Sequence, residues 1–199
     1  MSATKHGEVG SALIVSASLD PESRSERIAR RYSEALVMRG VASTFVTLKD
    51  YAIPGFDNPS ELPSDCEILH RMVLDAEAVV LAGPIYNWGS SAELKRFIEF
   101  VGTTPPDGTR RGAFFDKIVT FIASAGLPHG YMGFAPTMAS MILDFKCIIN
   151  PYHVFVHSRN WDADRIDDDA SGRIDRSADV LVALMRALRG RAYTSGWDI

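Results

Sequence analysis

The sequence predicts an α/β domain built on a five-stranded parallel sheet with helices on both faces. Five short apolar runs are each followed by a segment of helical period. The runs are continuous rather than alternating, as in strands buried on both faces. Right-handed crossovers between such strands place the intervening helices on the two sides of the sheet. Two strand orders fit, 3-2-1-4-5 and 2-1-3-4-5, and periodicity does not choose between them.

The elements follow in order. "SALIVSAS" (11–18) is an apolar run ending in small residues, and reads as the first strand. "ERIARRYSEALVMRG" (26–40) is a helix with Ile28, Ala29, Tyr32, Leu36 and Met38 inward, closed by Gly40. "STFVTL" (43–48) is the second strand, and "DCEILHRMVLDA" (65–76) a helix with Ile68, Leu69, Met72 and Val73 inward. "EAVVLAG" (77–83) is the third strand, and "SAELKRFIEFVG" (91–102) the helix after it. "KIVTFIASAG" (117–126) is the fourth strand, followed by a Met-rich helix over 133–147 in which Pro136 suits the first turn. "YHVFVHS" (152–158) is the fifth strand, and 177–191 a closing amphipathic helix. No repeat or composition shift divides the chain, so 1–199 reads as one domain with flexible tails at 1–9 and 192–199.

Composition excludes several function classes. The net charge is −4 without a basic block, which argues against nucleic acid as a partner. No apolar stretch approaches the roughly 18 residues that span a bilayer, and the first ten residues lack the apolar centre of a signal peptide. Cys66 and Cys147 stand alone, with no metal-ligand spacing, and read as small apolar core or surface residues of a reduced, cytoplasmic protein. No metal is expected.

In either strand order ligands sit beyond the carboxyl ends of the strands, so the loops there carry the functional information. After strand one, "SASLDPESRSE" (16–26) offers Ser16, Ser18, Ser23, Ser25 and Arg24 just before a helix. It has neither GxGxxG nor a P-loop. Hydroxyls and a guanidinium at a helix N-terminus suit a terminal phosphomonoester. A helix cap by Ser23 or Ser25, with Glu26 in the first turn, needs no ligand and stands beside that reading. Asp20 and Glu22 repel a phosphate unless they face solvent.

After strand three, "GPIYNWGSS" (83–91) combines a stiff Pro84 with Asn87 and Gly89, which tolerate unusual dihedrals. Tyr86 and Trp88 add wide apolar surfaces with polar tips, suited to a flat heterocycle or to a subunit contact. After strand four, "ASAGLPHG" (123–130) is small enough for its backbone to approach the same ring, with His129 either nearby or solvated.

These loops resemble those of the NADPH-dependent FMN reductase family, over about residues 10–190. The family's first loop, S-x-S-L-R-x-x-S-x-[NS], is matched by Ser16, Ser18, Leu19, Ser23 and Ser25, and the S-R-S variant of some members by Ser23, Arg24 and Ser25. The second, P-x-Y-N-x-S-x-P-G-x-L-K-N, is matched by Pro84, Tyr86, Asn87, Leu94 and Lys95. Ser124, Ala125 and Gly126 echo a third.

The resemblance implies a flavodoxin-like three-layer sandwich of order 2-1-3-4-5. It implies FMN as cofactor and NADPH or NADH as electron donor. Ser16, Ser18, Ser23, Arg24 and Ser25 would bind the phosphate end of FMN, and Pro84, Ile85, Tyr86, Asn87, Trp88 and Gly89 its ring. Ser124, Ala125 and Gly126 would line the ring's pyrimidine edge. The flavin itself carries the hydride chemistry, so no catalytic residue is assigned. Trp88, His129 and Tyr131 would wall the pocket of a small acceptor: free flavin, a quinone, a metal oxyanion, or an azo or nitro compound. A homodimer or homotetramer is implied, with 132–145 as the candidate interface. The rival reading is a flavodoxin-type electron carrier that does not use NAD(P)H. A protein of this fold that has lost flavin is a second.

The departures from the family pattern are informative. Asp20 replaces an arginine of the phosphate loop, for which Arg24 would compensate; Gly89 replaces a serine and Ser91-Ala92 a Pro-Gly, which predicts a less rigid grip on the flavin or a different partner against Trp88. "DDDASGRID" (167–175) partly mimics a calcium loop, but Ala178 stands where a bidentate glutamate belongs. It reads as a solvated acidic turn.

Overall fold

A computed structural model describes residues 10–191 and Ser195. The strands are β1 (Ser11–Ser16), β2 (Ala42–Thr47), β3 (Ala78–Tyr86), β4 (Gly89–Ser90), β5 (Ile118–Ala125), β6 (Ile148–Ile149), β7 (Val154–His157), β8 (Trp161–Asp162) and β9 (Arg165–Ile166). The helices are α1 (Arg24–Met38), α2 (Ser64–Asp75), α3 (Ala92–Gly102), α4 (Ala135–Leu143) and α5 (Asp168–Leu188). The parallel sheet runs β2-β1-β3-β5, with β6 and β7 both paired to β5 as two pieces of the outer strand. This is the 2-1-3-4-5 flavodoxin-like order. Of the expected tails at 1–9 and 192–199, only Ser195 falls within the described residues, and its amide and hydroxyl donate to Asp116.

Two apolar layers hold the sheet. Ile28, Tyr32 and Leu36 of α1 and Ile174, Leu181 and Met185 of α5 pack on one face. Leu69 and Val73 of α2 and Leu94 and Phe97 of α3 pack on the other. Each such side chain, once fully buried, contributes about 1.5–3 kcal/mol. Two residues expected inward face water instead, Met38 at 71% and Ile68 at 47% exposed. The helix ends explain Met38. It sits in the last turn, where Gly40 at φ +77° closes α1 with Gly40 N–H to Val37 O (2.9 Å) and Val41 N–H to Leu36 O (3.1 Å). Both cysteines are buried, and burial pushes the thiols up, Cys66 to about 11 and Cys147 to about 12.

The expected fifth strand (152–158) is found as β7, and the outer margin gains a separate piece, β6, that the sequence did not signal. Asn150 is the cause of the break between them. Its amide donates to Val119 O (2.8 Å), while its side chain donates to Thr120 Oγ1 (3.1 Å) and Ser177 O (3.0 Å) and accepts from the Tyr152 amide (2.9 Å). Pro151 follows and has no N–H for a ladder.

The acidic turn expected at 167–175 is the start of α5, nine residues earlier than the periodicity placed it. Asp167 caps the helix by accepting from the Ala170 amide (2.7 Å), and Asp168 and Asp169 suit the positive end of its dipole. Ala170 and Ile174 are fully buried, and that burial outweighs the helix-breaking tendency of Ser171-Gly172.

Candidate flavin site

The sheet's register sets the site. Ser16 ends β1 opposite Ala82, whereas β3 runs on until Pro84 lies beside Ser124 of β5. The extra length carries Ile85 and Tyr86 above the sheet, where they pair antiparallel with Ser90 and Gly89. The hairpin turn is Asn87-Trp88, at φ +48° and +64°. A two-residue turn with both centres left-handed is the type that matches strand twist, and it ordinarily takes Asn-Gly. The left-handed residue after Asn87 is thus Trp88, not Gly89 as the sequence led us to expect.

Opposite this hairpin, β5 ends at Ala125 and the chain makes a short helical turn, Pro128–Met132. Gly133 lets that turn approach closely, since a Cβ there would lie 2.5 Å from Ile85 Cγ2. Between hairpin and turn lies a cavity of about 270 Å³ lined by Ile85, Asn87, Trp88, Ala125, Gly126, Leu127, His129 and Gly130. A second, of about 220 Å³, is lined by Ser18, Asp20, Glu22, Ser23, Arg24, Ser25, Pro84, Tyr86 and Ser124. Ile85, Ala125 and Gly126 line both, so the two form one trough.

One end of the trough gathers hydroxyls, a guanidinium and a helix start, a donor set that suits an anion. Ser23 caps α1, its hydroxyl accepting from the Glu26 amide (3.1 Å), and Ser25 Oγ lies 3.0 Å from Ser23 Oγ. The first-turn amides of Arg24 and Ser25 have no partner inside a helix, and the dipole favours negative charge there. Asp20 is turned back into its own loop, where its carboxylate accepts from the Glu22 amide (2.9 Å). Glu26 lies behind the helix start. Burial alone would raise its carboxyl, but hydrogen bonds from Arg30 and Lys49 hold it below the usual range. The cap therefore does not consume the donors that an anion would need in this loop.

Most of the expected residues come together here. Ser18, Ser23, Arg24, Ser25, Pro84, Ile85, Tyr86, Asn87, Trp88, Ser124, Ala125, Gly126 and His129 all line the trough. Three do not. Ser16 is fully buried within β1, its hydroxyl without a described partner, and Gly89 is in the hairpin's return strand. Tyr131 packs edge-on against Phe155 (5.6 Å) and beside His153 (5.1 Å). Leu127 and Gly130 also line the Trp88–His129 end of the trough, which the sequence did not signal.

Ser91 lies in the loop expected to hold flavin less rigidly. Ser91 is buried, caps α3 by accepting from the Leu94 amide (3.3 Å), and donates to Ala17 O (3.1 Å). It ties the second loop to the first. Thr137 of α4 adds a bond to Ser90 Oγ (3.2 Å).

Serine hydroxyls and free amides at a helix start, joined to a flat slot at the switch point, define a mononucleotide-binding protein of flavodoxin-like fold. The chain belongs to the NADPH-dependent FMN reductase family, whose model matches residues 11–158. It is thus an oxidoreductase that uses FMN and NAD(P)H, and the donors lining the trough suit the phosphate and ring of FMN. No curated protein matches the chain. Among solved structures it resembles an oxidoreductase from Corynebacterium diphtheriae, at 19% identity and TM-score 0.71, covering 90% of this chain and 98% of that one. It also resembles FerB, a flavoenzyme NAD(P)H:(acceptor) oxidoreductase from Paracoccus denitrificans, at 15% identity and TM-score 0.71, covering 89% and 97%. The apo form of EMOB, an NADH:FMN oxidoreductase, is similar at 14% identity and TM-score 0.71, covering 87% and 88%. At such identities the likeness concerns the fold. Among the described residues no helix is long and apolar enough to cross a membrane.

Proposed function

We propose that this chain passes hydride equivalents from NADPH or NADH, by way of FMN, to a small acceptor such as a quinone, an azo or nitro compound, a metal oxyanion or free flavin. One observation carries the reading: the hydroxyl-lined helix start and the Trp88–His129 slot are the two ends of a single trough. Bound FMN would supply hydride acceptance and delivery. The protein's part is to bind and orient. Ser18, Ser23, Ser25 and Arg24 hold the phosphate, while Asn87, Trp88, Ala125 and Gly126 hold the ring. Trp88 and His129 wall the side from which nicotinamide and acceptor enter in turn, and close stacking there requires no dedicated acid or base.

Exposed apolar side chains support a homodimer or homotetramer. Tyr86, Trp88, Leu127 and Met132 crowd the loops around the trough, and Ile142 and Leu143 lie on α4. The methionines of α4 itself, Met138 and Met141, turn inward. Two buried, unpaired cysteines support a reducing, cytoplasmic setting.

The test is to load the protein with FMN and add NADPH or NADH without oxygen while following the flavin's visible absorbance. Bleaching within seconds, reversed by an acceptor, is expected. An unchanged spectrum would point to a one-electron carrier, and protein that stays colourless after FMN is added would refute flavin binding.

A further inference from the structure

Arg24 reaches the anion end of the trough, yet no described residue forms an ion pair or hydrogen bond with it. Asp20 and Glu22 line the same cleft and leave it free. Its guanidinium carbon instead lies 5.4 Å from the centre of the Trp161 ring. Trp161 belongs to the β8–β9 hairpin, which follows β7 and is absent from the elements the sequence predicts.

The hairpin is fixed at both ends. At its base, the His157 amide donates to Asn160 Oδ1 (3.1 Å), and Asn160 donates to Asp167 Oδ2 (2.9 Å). At its tip, Asp164 receives both arms of Arg27, Nη1 to Oδ1 at 2.9 Å and Nη2 to the carbonyl at 2.7 Å. Arg27 in turn lies 5.0 Å from the same indole. Two cations thus share one ring, but Asp164 neutralises Arg27 and leaves the charge of Arg24 unshared. Trp161 Nε1 is buried without a described partner, so no hydrogen bond accounts for a tryptophan at this position.

We propose that Trp161 is a positioning residue whose ring holds the Arg24 guanidinium at the anion end of the trough, ready for the phosphate of FMN. An exposed arginine otherwise spreads over many rotamers. A cation over the indole face gives up part of that freedom before the ligand arrives, while its N–H groups stay free for bidentate pairing. The proposal rests on the flavin reading above.

The test compares FMN with riboflavin, which has the same ring and ribityl chain but no phosphate. Dissociation constants of both are measured by titration of the full chain carrying Arg24→Gln, Trp161→Leu, Trp161→Phe or the first two together. Wild type should prefer FMN, and Arg24→Gln should narrow that preference. Trp161→Leu should narrow it by about two- to fivefold, the scale of one exposed cation–π contact, and leave riboflavin binding unchanged. Trp161→Phe should recover much of the loss, and the double variant should bind FMN no worse than Arg24→Gln alone.

If Arg24→Gln narrows the preference and Trp161→Leu does not, the positioning role is wrong while the flavin reading stands. Equal weakening of both ligands by Trp161→Leu also overturns it, as a general structural effect. An Arg24→Gln variant with unchanged preference removes its premise, and wild type that binds neither ligand defeats the flavin reading itself. Should Trp161→Leu fail to fold, Trp161→Met takes its place, because it also removes the aromatic face, and an unchanged ratio there overturns the role.

Discussion

The indole of Trp88 lies over the imidazole of His129, with ring centres 5.0 Å apart and planes inclined by 22°. The stack joins the two loops that bound the ring end of the trough. It is made by a residue whose own backbone is left-handed, at φ +64°. Left-handed geometry costs an ordinary side chain about 1–2 kcal/mol, and aromatic stacking of this kind returns about 0.5–1.5 kcal/mol. Local strain and ring placement nearly offset each other.

Substitution at Trp88 should separate these two effects. Trp88→Ala keeps the strain and loses the stack, whereas Trp88→Gly loses both. We expect the glycine variant to be the more stable of the two by about 1 kcal/mol, read by urea denaturation. Both should bind flavin more weakly than wild type, because each removes a wall of the slot.

The two serines at the start of α1 should differ in a similar way. Ser23→Ala removes the helix cap and should lower stability by about 1 kcal/mol as well as weakening FMN binding. Ser25 caps nothing, so Ser25→Ala should weaken FMN binding and cost only its buried hydrogen bond with Ser23 Oγ, about 0.5 kcal/mol. Thermal unfolding without ligand, set beside FMN titration, checks both.

Glu26 predicts a pH dependence. Its carboxyl titrates lower in the folded chain than in the unfolded one, so its ionised form favours folding. That contribution is complete above the unfolded value of about 4.3 and fades as pH falls through the lower folded value. Glu26→Gln should therefore be less stable than wild type at neutral pH, by roughly 1 kcal/mol. The difference should shrink below about pH 4, as read by denaturant midpoints across pH.

Asn150 should be among the most sensitive polar positions. Asn150→Leu leaves Thr120 Oγ1, Ser177 O and the Tyr152 amide without its bonds in a buried place. A loss of about 2–3 kcal/mol is expected. A denaturation midpoint indistinguishable from wild type would count against the latch described here.

The sheet and most helices were legible because their causes are local. Continuous apolar runs mark the buried strands, and Gly40 and Pro136 mark helix ends through backbone geometry that belongs to the residue itself. The gathering of Ser18, Ser23, Ser25 and Asn87 along one trough was legible because chemistry and motif agreed. What was missed depends on partners distant in sequence. Asn150 breaks the outer strand by reaching Thr120 and Ser177, which are 30 and 27 residues away. The start of α5 looked like a turn because the burial of Ala170 and Ile174 is a tertiary fact. Trp88 occupies a glycine's backbone conformation because His129 lies across the slot. The β8–β9 hairpin has strands of two residues each, too short to leave a period.

The divided outer strand also bears on how the chain avoids templating its own aggregation. A sheet margin with a long unbroken row of unpaired amides and carbonyls invites another molecule to add a strand. Here the margin is cut into pieces of two and four residues, with Pro151 in the gap. Such a margin offers a newcomer too few consecutive hydrogen bonds to hold it. Strand addition along this margin is thereby disfavoured, which leaves the opposite margin, the unbroken six-residue β2, as the edge that a newcomer could pair with.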